Sequence, residues 1–334
     1  MTSFAALPIR AVIVTLFDPG DAPGSLGDGE FRRWTERLPL PDSMPFAFGP
    51  HPVRLDRERG VLGVVTGVGN AAAAAAIVGL GTDSRFDLSR AYWLMAGIAG
   101  ADPEAMSIGS AAWIDHVVDG DLLHEIDLRD APPGWPTGRL PLGRDAPFAP
   151  PPRSGLVLNA HRLNAGLAAW AYRLTADMDL ADSPDMTAYR AHFVGTAEGA
   201  APPSVMRGAV LASSNFWHGP ALRDWARDWV DYWTAGRARF VASAMEDSGV
   251  AHALAALGRA GLADPDRLLM LRTASNYVVP RPGITAAESI GSHKQEGFSG
   301  LGPSLENAYF VGRCVLDALL DGWDDHRERI PSAT

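Results

Sequence analysis

The chain has 334 residues, of which 47% are hydrophobic and 20% charged, a composition typical of a folded globular protein and not of a fibrous or disordered one. Its 29 basic and 39 acidic residues give a net charge of -10, which argues against nucleic acid and anionic lipid as partners. The single cysteine, Cys314, excludes an intramolecular disulfide, and the histidines show no metal-ligand spacing, so we expect neither a structural metal nor a cofactor.

The N-terminal segment has no basic residues ahead of its short apolar stretch, so we predict no secretory signal and a cytoplasmic location. The uncharged run of residues 60–82 is long enough to cross a bilayer of roughly 30 Å. It contains six glycines, and a β-branched first part precedes a run of alanines. This pattern indicates a buried strand, a glycine turn and a buried helix, and no membrane insertion.

Short β-branched runs alternate with amphipathic segments of helical length along most of the chain. This alternation predicts an α/β fold of three layers, in which a mostly parallel mixed sheet is flanked by helices. The predicted strands are 9–17, 61–66, 92–98, 111–118, 209–213, 239–243 and 268–273, and the predicted helices are 71–80, 221–235, 246–259 and 304–321.

One region interrupts the alternation. Residues 131–152 are rich in proline and glycine and are predicted to form a long surface connection. A helix over 159–173 and an irregular segment over 184–203 are predicted to follow. We therefore interpret residues 1–334 as a single domain that carries an insertion at about 119–204 between two parts of one sheet.

The sequence Thr66-Gly67-Val68-Gly69-Asn70 follows a predicted strand and opens a predicted helix, as a dinucleotide-binding turn does. The next strand ends in small apolar residues and lacks the acidic residue that would hold the ribose of NAD, so NAD is not favoured. Two interpretations remain. The glycines permit close packing of strand and helix, or the turn faces a small anion or a ribose at the carboxyl edge of the sheet.

Four further motifs occur in order: AGIAG at 96–100, SNFWHG at 214–219, MEDSG at 245–249 and RTASNY at 272–277. Their types and order resemble the nucleoside phosphorylase and nucleosidase superfamily, and within it the purine nucleoside permeases. The resemblance extends over most of the chain and implies a nucleoside-phosphorylase-like fold. It also implies a purine nucleoside as ligand, with the motifs building one pocket, and assembly into a homo-oligomer.

The resemblance implies that Glu246 binds the 2′ and 3′ hydroxyls of the ribose and that Asn276 contacts the base. Cleavage of an N-glycosidic bond passes through an oxocarbenium-like sugar, so a carboxylate at the hydroxyls and a donor at the departing base favour it. An amide meets N7 and O6 of a 6-oxopurine together, which favours inosine and guanosine. Each residue also has a structural interpretation. Glu246 is then a first-turn glutamate favoured by the helix dipole, and Asn276 is a turn residue that hydrogen-bonds its own backbone.

The residues beside these two complete the predicted pocket. Aromatic rings at a strand end either offer a stacking face for the base or pack in the core. A histidine beside them either reaches the sugar or an anion, or is a helix-capping or surface residue. The predicted substrate-binding residues are Phe216, Trp217, His218, Met245, Ser275, Gly97 and Ile98.

The nucleophile stays open between phosphate and water. Phosphorylases of the superfamily present a hydroxyl to phosphate in the predicted turn at 97–100, where this chain has Ile98. Asp18 follows the first strand and either activates water, as a glutamate does in the nucleosidases, or initiates the Asp-Pro-Gly turn. The candidates for an anion or nucleophile site are Asp18, Thr66, Gly67, Gly69 and Arg272, and phosphate is the candidate co-substrate.

The expected function is cleavage of a purine nucleoside at its N-glycosidic bond, by phosphorolysis or hydrolysis. Two alternatives stay open: a nucleoside-binding protein that supports uptake without catalysis, and a non-catalytic, storage-like member that kept the fold.

Overall fold

Side chains alternate between two cores along the central strands. In the first central strand Val12 and Val14 enter one core, whereas Ala11 and Ile13 enter the other. This period of two is what a strand requires when both faces of its sheet are covered.

The computed structural model describes residues 5–19, 29–150, 159–291 and 300–333. The strands in these ranges are β1 (Leu7–Pro8), β2 (Ala11–Thr15), β3 (Asp42–Met44), β4 (Val53–Asp56), β5 (Val61–Val65), β6 (Phe86–Asp87), β7 (Tyr92–Ala101), β8 (Ala111–Asp119), β9 (Leu123–Glu125), β10 (Arg139–Pro141), β11 (Ala160–Arg162), β12 (Val205–Ala212), β13 (Phe240–Ala244) and β14 (Leu268–Tyr277). The α-helices are α1 (Arg32–Arg37), α2 (Asn70–Gly81), α3 (Ala165–Thr175), α4 (Pro184–Arg190), α5 (Pro220–Thr234), α6 (Asp247–Arg259), α7 (Ala286–Gly291), α8 (Leu301–Asp321) and α9 (Trp323–His326).

The main sheet is mixed, and one part of it closes on itself. Its strands run in the order β11-β8-β12-β13-β7-β2-β5-β4-β3, and β14 pairs with both β7 and β8. Strands β7, β14, β8, β12 and β13 therefore form a closed ring, with β7 shared between the ring and the open sheet. One core contains residues of α2, α5 and α6, and the other contains residues of α1, α3 and α8. The predicted three-layer α/β class is confirmed.

Two predictions within residues 119–204 were wrong. Residues 159–173, predicted as one helix, begin with β11, which pairs antiparallel with β8. Helix α3 starts only after Asn164, whose side chain accepts hydrogen bonds from the amides of Gly166 and Leu167 and so caps the helix. Residues 184–203, predicted as irregular, begin with α4, which is capped by Ser183 and has proline in its first turn.

Strands β7 and β14 extend beyond their predicted ends. Residues 97–100, predicted as a turn, lie inside β7, and Asn276, predicted to follow a strand, lies inside β14. The two strands bond to each other as far as Ala101 and Tyr277. Small apolar residues that look like a turn in sequence are therefore held extended by the neighbouring strand.

Helices α2 and α6 approach each other closely at a glycine. A Cβ on Gly249 would lie 2.1 Å from the carbonyl oxygen of Asn70, so a side chain does not fit there. The amide of Gly249 also donates to Asn70 Oδ1 at 3.0 Å. This contact fixes the first turn of α6 against the first turn of α2.

We expect Gly249→Ala to lower the free energy of unfolding by about 1–3 kcal/mol, because the added methyl group forces the two helices apart. The matched control is Gly302→Ala in α8, where a Cβ meets nothing within 4 Å. That change should leave stability unchanged or raise it by less than about 1 kcal/mol. Urea unfolding of both variants checks this, and equal stabilities would contradict it.

Candidate active site

The ends of three strands meet at one residue. Gly100 of β7 pairs with Ser243 of β13 and with Asn276 of β14. The register of β14 shifts between Ala274 and Asn276, so Ser275 forms a bulge, a feature that bends a strand and redirects its side chains. Three of the four motifs, AGIAG, MEDSG and RTASNY, are thereby brought together at one place.

Glu246 lies between β13 and α6, at the strand-to-helix junction predicted for it, and is 5% exposed. Its Oε1 accepts a hydrogen bond from the amide of Gly69 at 3.2 Å, and its Oε2 accepts one from Arg272 Nη2 at 2.9 Å. The turn at Gly67 and Gly69, both with positive φ, therefore binds a carboxylate of the protein itself. Each oxygen of Glu246 keeps acceptor capacity for a further donor.

Arg272 is a fully buried guanidinium held by two carboxylates. Its Nε and Nη2 donate to Asp247 at 3.0 and 2.6 Å, and its Nη1 donates to the carbonyl of Ile98 at 2.9 Å. Burial disfavours its charge, but the attraction of Asp247 and Glu246 outweighs burial and raises the pKa of Arg272. All three nitrogens of Arg272, predicted as a candidate anion ligand, therefore already donate to groups of the protein.

A second buried glutamate faces this cluster. Glu30 is 4% exposed; its Oε2 accepts hydrogen bonds from the amides of Leu16 and Phe17 at 2.8 and 3.1 Å, and its Oε1 accepts one from Ile98 at 2.7 Å. Burial raises the pKa of Glu30 from 4.5 to about 7, with a further rise from Glu246, while Arg272 and the amides oppose the shift. Glu30 therefore exchanges a proton near neutral pH.

Gly97 lets Glu30 and Arg272 approach each other. A Cβ at this position would lie 2.6 Å from Glu30 Oε1 and 2.7 Å from Arg272 Nη1. No side chain fits between them. Gly97, predicted as a substrate-binding residue, thus provides the space in which the carboxylate and the guanidinium meet.

Sequence reasoning missed Glu30 and named Asp18 instead. The amide of Glu30 donates to the carbonyl of Phe17 at 2.8 Å, which holds Glu30 beside the end of β2. The carbonyl of Asp18 accepts a hydrogen bond from His51 Nε2 at 2.7 Å, and Asp18 borders a cleft of about 430 Å³ with Gly29. No motif or spacing in the sequence marks Glu30, which precedes the short helix α1.

Asn276 is 4% exposed, and its amide bonds to its neighbours in the chain. Its Oδ1 accepts from the Ser275 hydroxyl at 3.0 Å, and its Nδ2 donates to the Tyr277 carbonyl at 3.0 Å. These bonds fix the orientation of the amide. They leave one lone pair on Oδ1 and one hydrogen on Nδ2 for a ligand.

The other predicted residues differ in exposure. Phe216 is 44% exposed, whereas Trp217 is 5% exposed and packs in the core against Trp225 and Phe240. His218 is buried and its Nε2 lies 3.0 Å from the Ser289 hydroxyl of α7. Of the two predicted stacking rings, that of Phe216 is therefore the more exposed. Met245 is half-buried, and the Thr66 hydroxyl donates to the Gly67 carbonyl at 3.0 Å.

Comparison with known proteins decides the family. Residues 8–331 match the family described as purine nucleoside permease (NUP). The chain belongs to this family. It is 27% identical over 266 residues to a purine nucleoside permease of Candida albicans, with 78% of this chain aligned, and it spans about 64% of the length of that relative. The resemblance to the purine nucleoside permeases found in the sequence is therefore confirmed.

Solved structures show the same fold. The chain resembles a 5′-methylthioadenosine/S-adenosylhomocysteine nucleosidase of Helicobacter pylori with a TM-score of 0.54 and 13% identity, covering 93% of this chain and 99% of the other. It resembles a futalosine hydrolase of the same organism with a TM-score of 0.53 and 14% identity, covering 93% and 98%. The chain thus has the fold of these nucleosidases, in agreement with the nucleoside-phosphorylase-like fold predicted from the sequence.

The raised pKa of Glu30 makes stability depend on pH in a defined direction. The folded chain binds the proton of Glu30 more tightly than the unfolded chain does, so this contribution is complete below pH 4.5 and is lost as the pH rises through about 7. The free energy of unfolding of the wild type, relative to Glu30→Gln, should fall by about 3 kcal/mol over that range.

Urea unfolding at several pH values measures this difference. The control is Glu58→Gln, a change at an exposed side chain, for which the difference from wild type should stay nearly constant. Parallel curves for wild type and Glu30→Gln between pH 4.5 and 7 would contradict the assignment of the shift to Glu30.

Proposed function

We propose that this protein hydrolyses the N-glycosidic bond of purine nucleosides. The observation that carries the proposal is the Glu30 carboxylate, which is seated on three backbone amides beside Glu246 and Arg272 where the motif-bearing strands meet. A buried carboxylate that takes up a proton near neutral pH suits activation of a water molecule.

Glu30 supports this role through its acceptor geometry. Oε1 receives one amide hydrogen bond and Oε2 receives two, so Oε1 retains a lone pair for a water molecule. In the proposed step the water oxygen attacks the anomeric carbon while the bond to the base breaks. The proton of the water passes to Glu30, and the bonding electron pair leaves with the purine.

Glu246 binds the sugar in this proposal. Its two oxygens, anchored by Gly69 and Arg272, accept hydrogen bonds from the 2′ and 3′ hydroxyls. A carboxylate there also favours the positive charge that develops on the sugar in the transition state.

Asn276 and Phe216 contact the base in this proposal. The free hydrogen on Nδ2 suits the acceptor O6 of a 6-oxopurine, and the free lone pair on Oδ1 suits N7 once the departing base has taken up a proton there from solvent, so inosine and guanosine are the proposed substrates. An amide has no proton to transfer, so it assists departure of the base by hydrogen bonding alone. Phe216 offers its exposed ring for stacking.

The charges near the strand ends support water, and not phosphate, as the nucleophile. One guanidinium, Arg272, faces three carboxylates, those of Glu30, Glu246 and Asp247. The Ile98 amide already donates to Glu30, and Ile98 has no hydroxyl to offer. A phosphate dianion would be repelled by these carboxylates.

The family name supports a second candidate, nucleoside binding that assists uptake. No helix in the described ranges is both apolar enough and long enough to cross a bilayer. Assembly as a homo-oligomer and a cytoplasmic location stay predictions.

We expect the wild type to release base from inosine and guanosine at the same rate with and without phosphate, yielding free ribose. Glu246→Gln should lower kcat/KM by about 100-fold or more, because the anionic acceptor at the hydroxyls is lost. Glu58→Gln is the surface control and should retain full activity. Release that requires phosphate and yields ribose 1-phosphate would contradict hydrolysis, and tight binding without release would favour the uptake role.

Activity should rise with pH and reach half of its maximum near pH 7, because Glu30 must be deprotonated to accept a proton from water. Glu30→Gln should lower kcat by about 10²–10⁴-fold and abolish this rise. A pH profile of kcat for inosine tests both statements. A wild-type profile without an acidic limb near neutrality would remove Glu30 from the mechanism.

A further inference from the structure

Asp247 is a fully buried acid whose bonds go to Arg272. It is 0% exposed and begins α6, next to Glu246 in the chain. Its two oxygens accept from Arg272 Nε and Nη2, so carboxylate and guanidinium meet side by side through two hydrogen bonds. This is the strongest geometry available to an arginine and a carboxylate.

The pairing decides where the remaining guanidinium nitrogen points. With Nε and Nη2 on Asp247, Nη1 donates to the carbonyl of Ile98, while the amide of the same residue donates to Glu30. Glu30 Oε1 and Arg272 Nη1 lie on either side of the space left by Gly97. The guanidinium is therefore close to Glu30 while bonding to other partners.

Without Asp247, Arg272 would lose the acid that holds two of its nitrogens. The remaining acids within reach are Glu246, which already accepts from Nη2, and Glu30 across Gly97. A buried guanidinium must be paired, so it would shift toward both of them. Glu30 would then be held as an anion and would accept a proton only at lower pH.

We propose that Asp247 is a positioning residue that occupies Arg272, keeps the guanidinium from pairing with Glu30, and so sets the pH at which Glu30 accepts a proton. This inference rests on the proposed role of Glu30. The groups that face Glu30 in the described ranges are Arg272 of β14, Glu246 at the start of α6, and the amides of Leu16, Phe17 and Ile98. Asp247 acts on Glu30 through Arg272.

The test is Asp247→Asn, which keeps the shape of the side chain and removes its charge. The midpoint of the acidic limb of the kcat profile should move to lower pH by about one unit. The Glu30 carboxyl carbon, followed by ¹³C NMR and assigned by its absence in Glu30→Gln, should show the same shift in midpoint.

The matched control is Asp102→Asn. Asp102 is 1% exposed and is bonded by Arg227 Nε and Nη2 at 2.6 and 2.7 Å, the same pairing without contact to Glu30. Asp102→Asn removes a buried carboxylate from an arginine pair and should leave both midpoints unchanged. An Asp247→Asn midpoint equal to that of wild type, or equal shifts in both variants, would overturn the proposal.

A second variant covers the case in which Asp247→Asn does not fold. Asp247→Asn combined with Arg272→Gln removes both charges of the pair, so the midpoint of Glu30 should rise above that of wild type, because Arg272 no longer stabilises the carboxylate. An unchanged midpoint would overturn the proposal. The NMR titration needs no turnover, so an inactive enzyme with the expected NMR shifts would refute the proposed function and leave the role of Asp247 standing.

Discussion

A guanidinium without contact with solvent governs the arrangement of this site. Arg272 needs anionic partners because an unpaired charge in a protein interior is strongly destabilising. Its partners come from elements that are far apart in the chain, namely the start of α6 and the Ile98 peptide of β7. The hydrogen bonds of this one side chain therefore fix α6, β7 and β14 relative to one another. Glu30 lies beside them.

The sequence predicts those features of the fold that depend on residues close together in the chain. The alternation of β-branched runs and amphipathic segments predicts the three-layer fold, and the junction at Glu246 follows from a strand that runs directly into a helix. Helix boundaries that depend on a cap, such as that at Asn164, were placed wrongly because the capping residue lay inside a pattern that looked helical.

The remaining features arise from contacts between residues distant in sequence. Glu30 lies beside this cluster because its amide donates to the carbonyl of Phe17, a contact that no spacing rule reveals. Residues 97–100 are extended because β14 supplies their hydrogen-bonding partners, and the bulge at Ser275 is a mismatch between two strands. Three of the motifs recognised in the sequence meet where the strands end, but their electrostatic partners, Glu30 and Asp247, become visible only when the strands are assembled.

The segment of about 119–204, predicted to be an insertion, also contacts the strand that carries Asn276. The Tyr277 hydroxyl donates to the Gly199 carbonyl at 2.5 Å and accepts from the Ile108 amide at 3.0 Å, and its ring packs against Phe193. Residues of this segment thus contact the last residue of β14, in addition to extending the sheet through β11.

The closed ring of strands has a consequence for the order of events during synthesis. Strand β14 completes the ring by bonding β7 and β8, both of which leave the ribosome much earlier. Until β14 emerges, β7 exposes an unpaired edge, and Glu246 and Asp247 have no cation between them. Pairing between such distant segments is slow, and a free strand edge favours association with other chains. The strand that covers the free edge of β7 is therefore the same late-emerging strand that supplies Arg272 to Glu246 and Asp247.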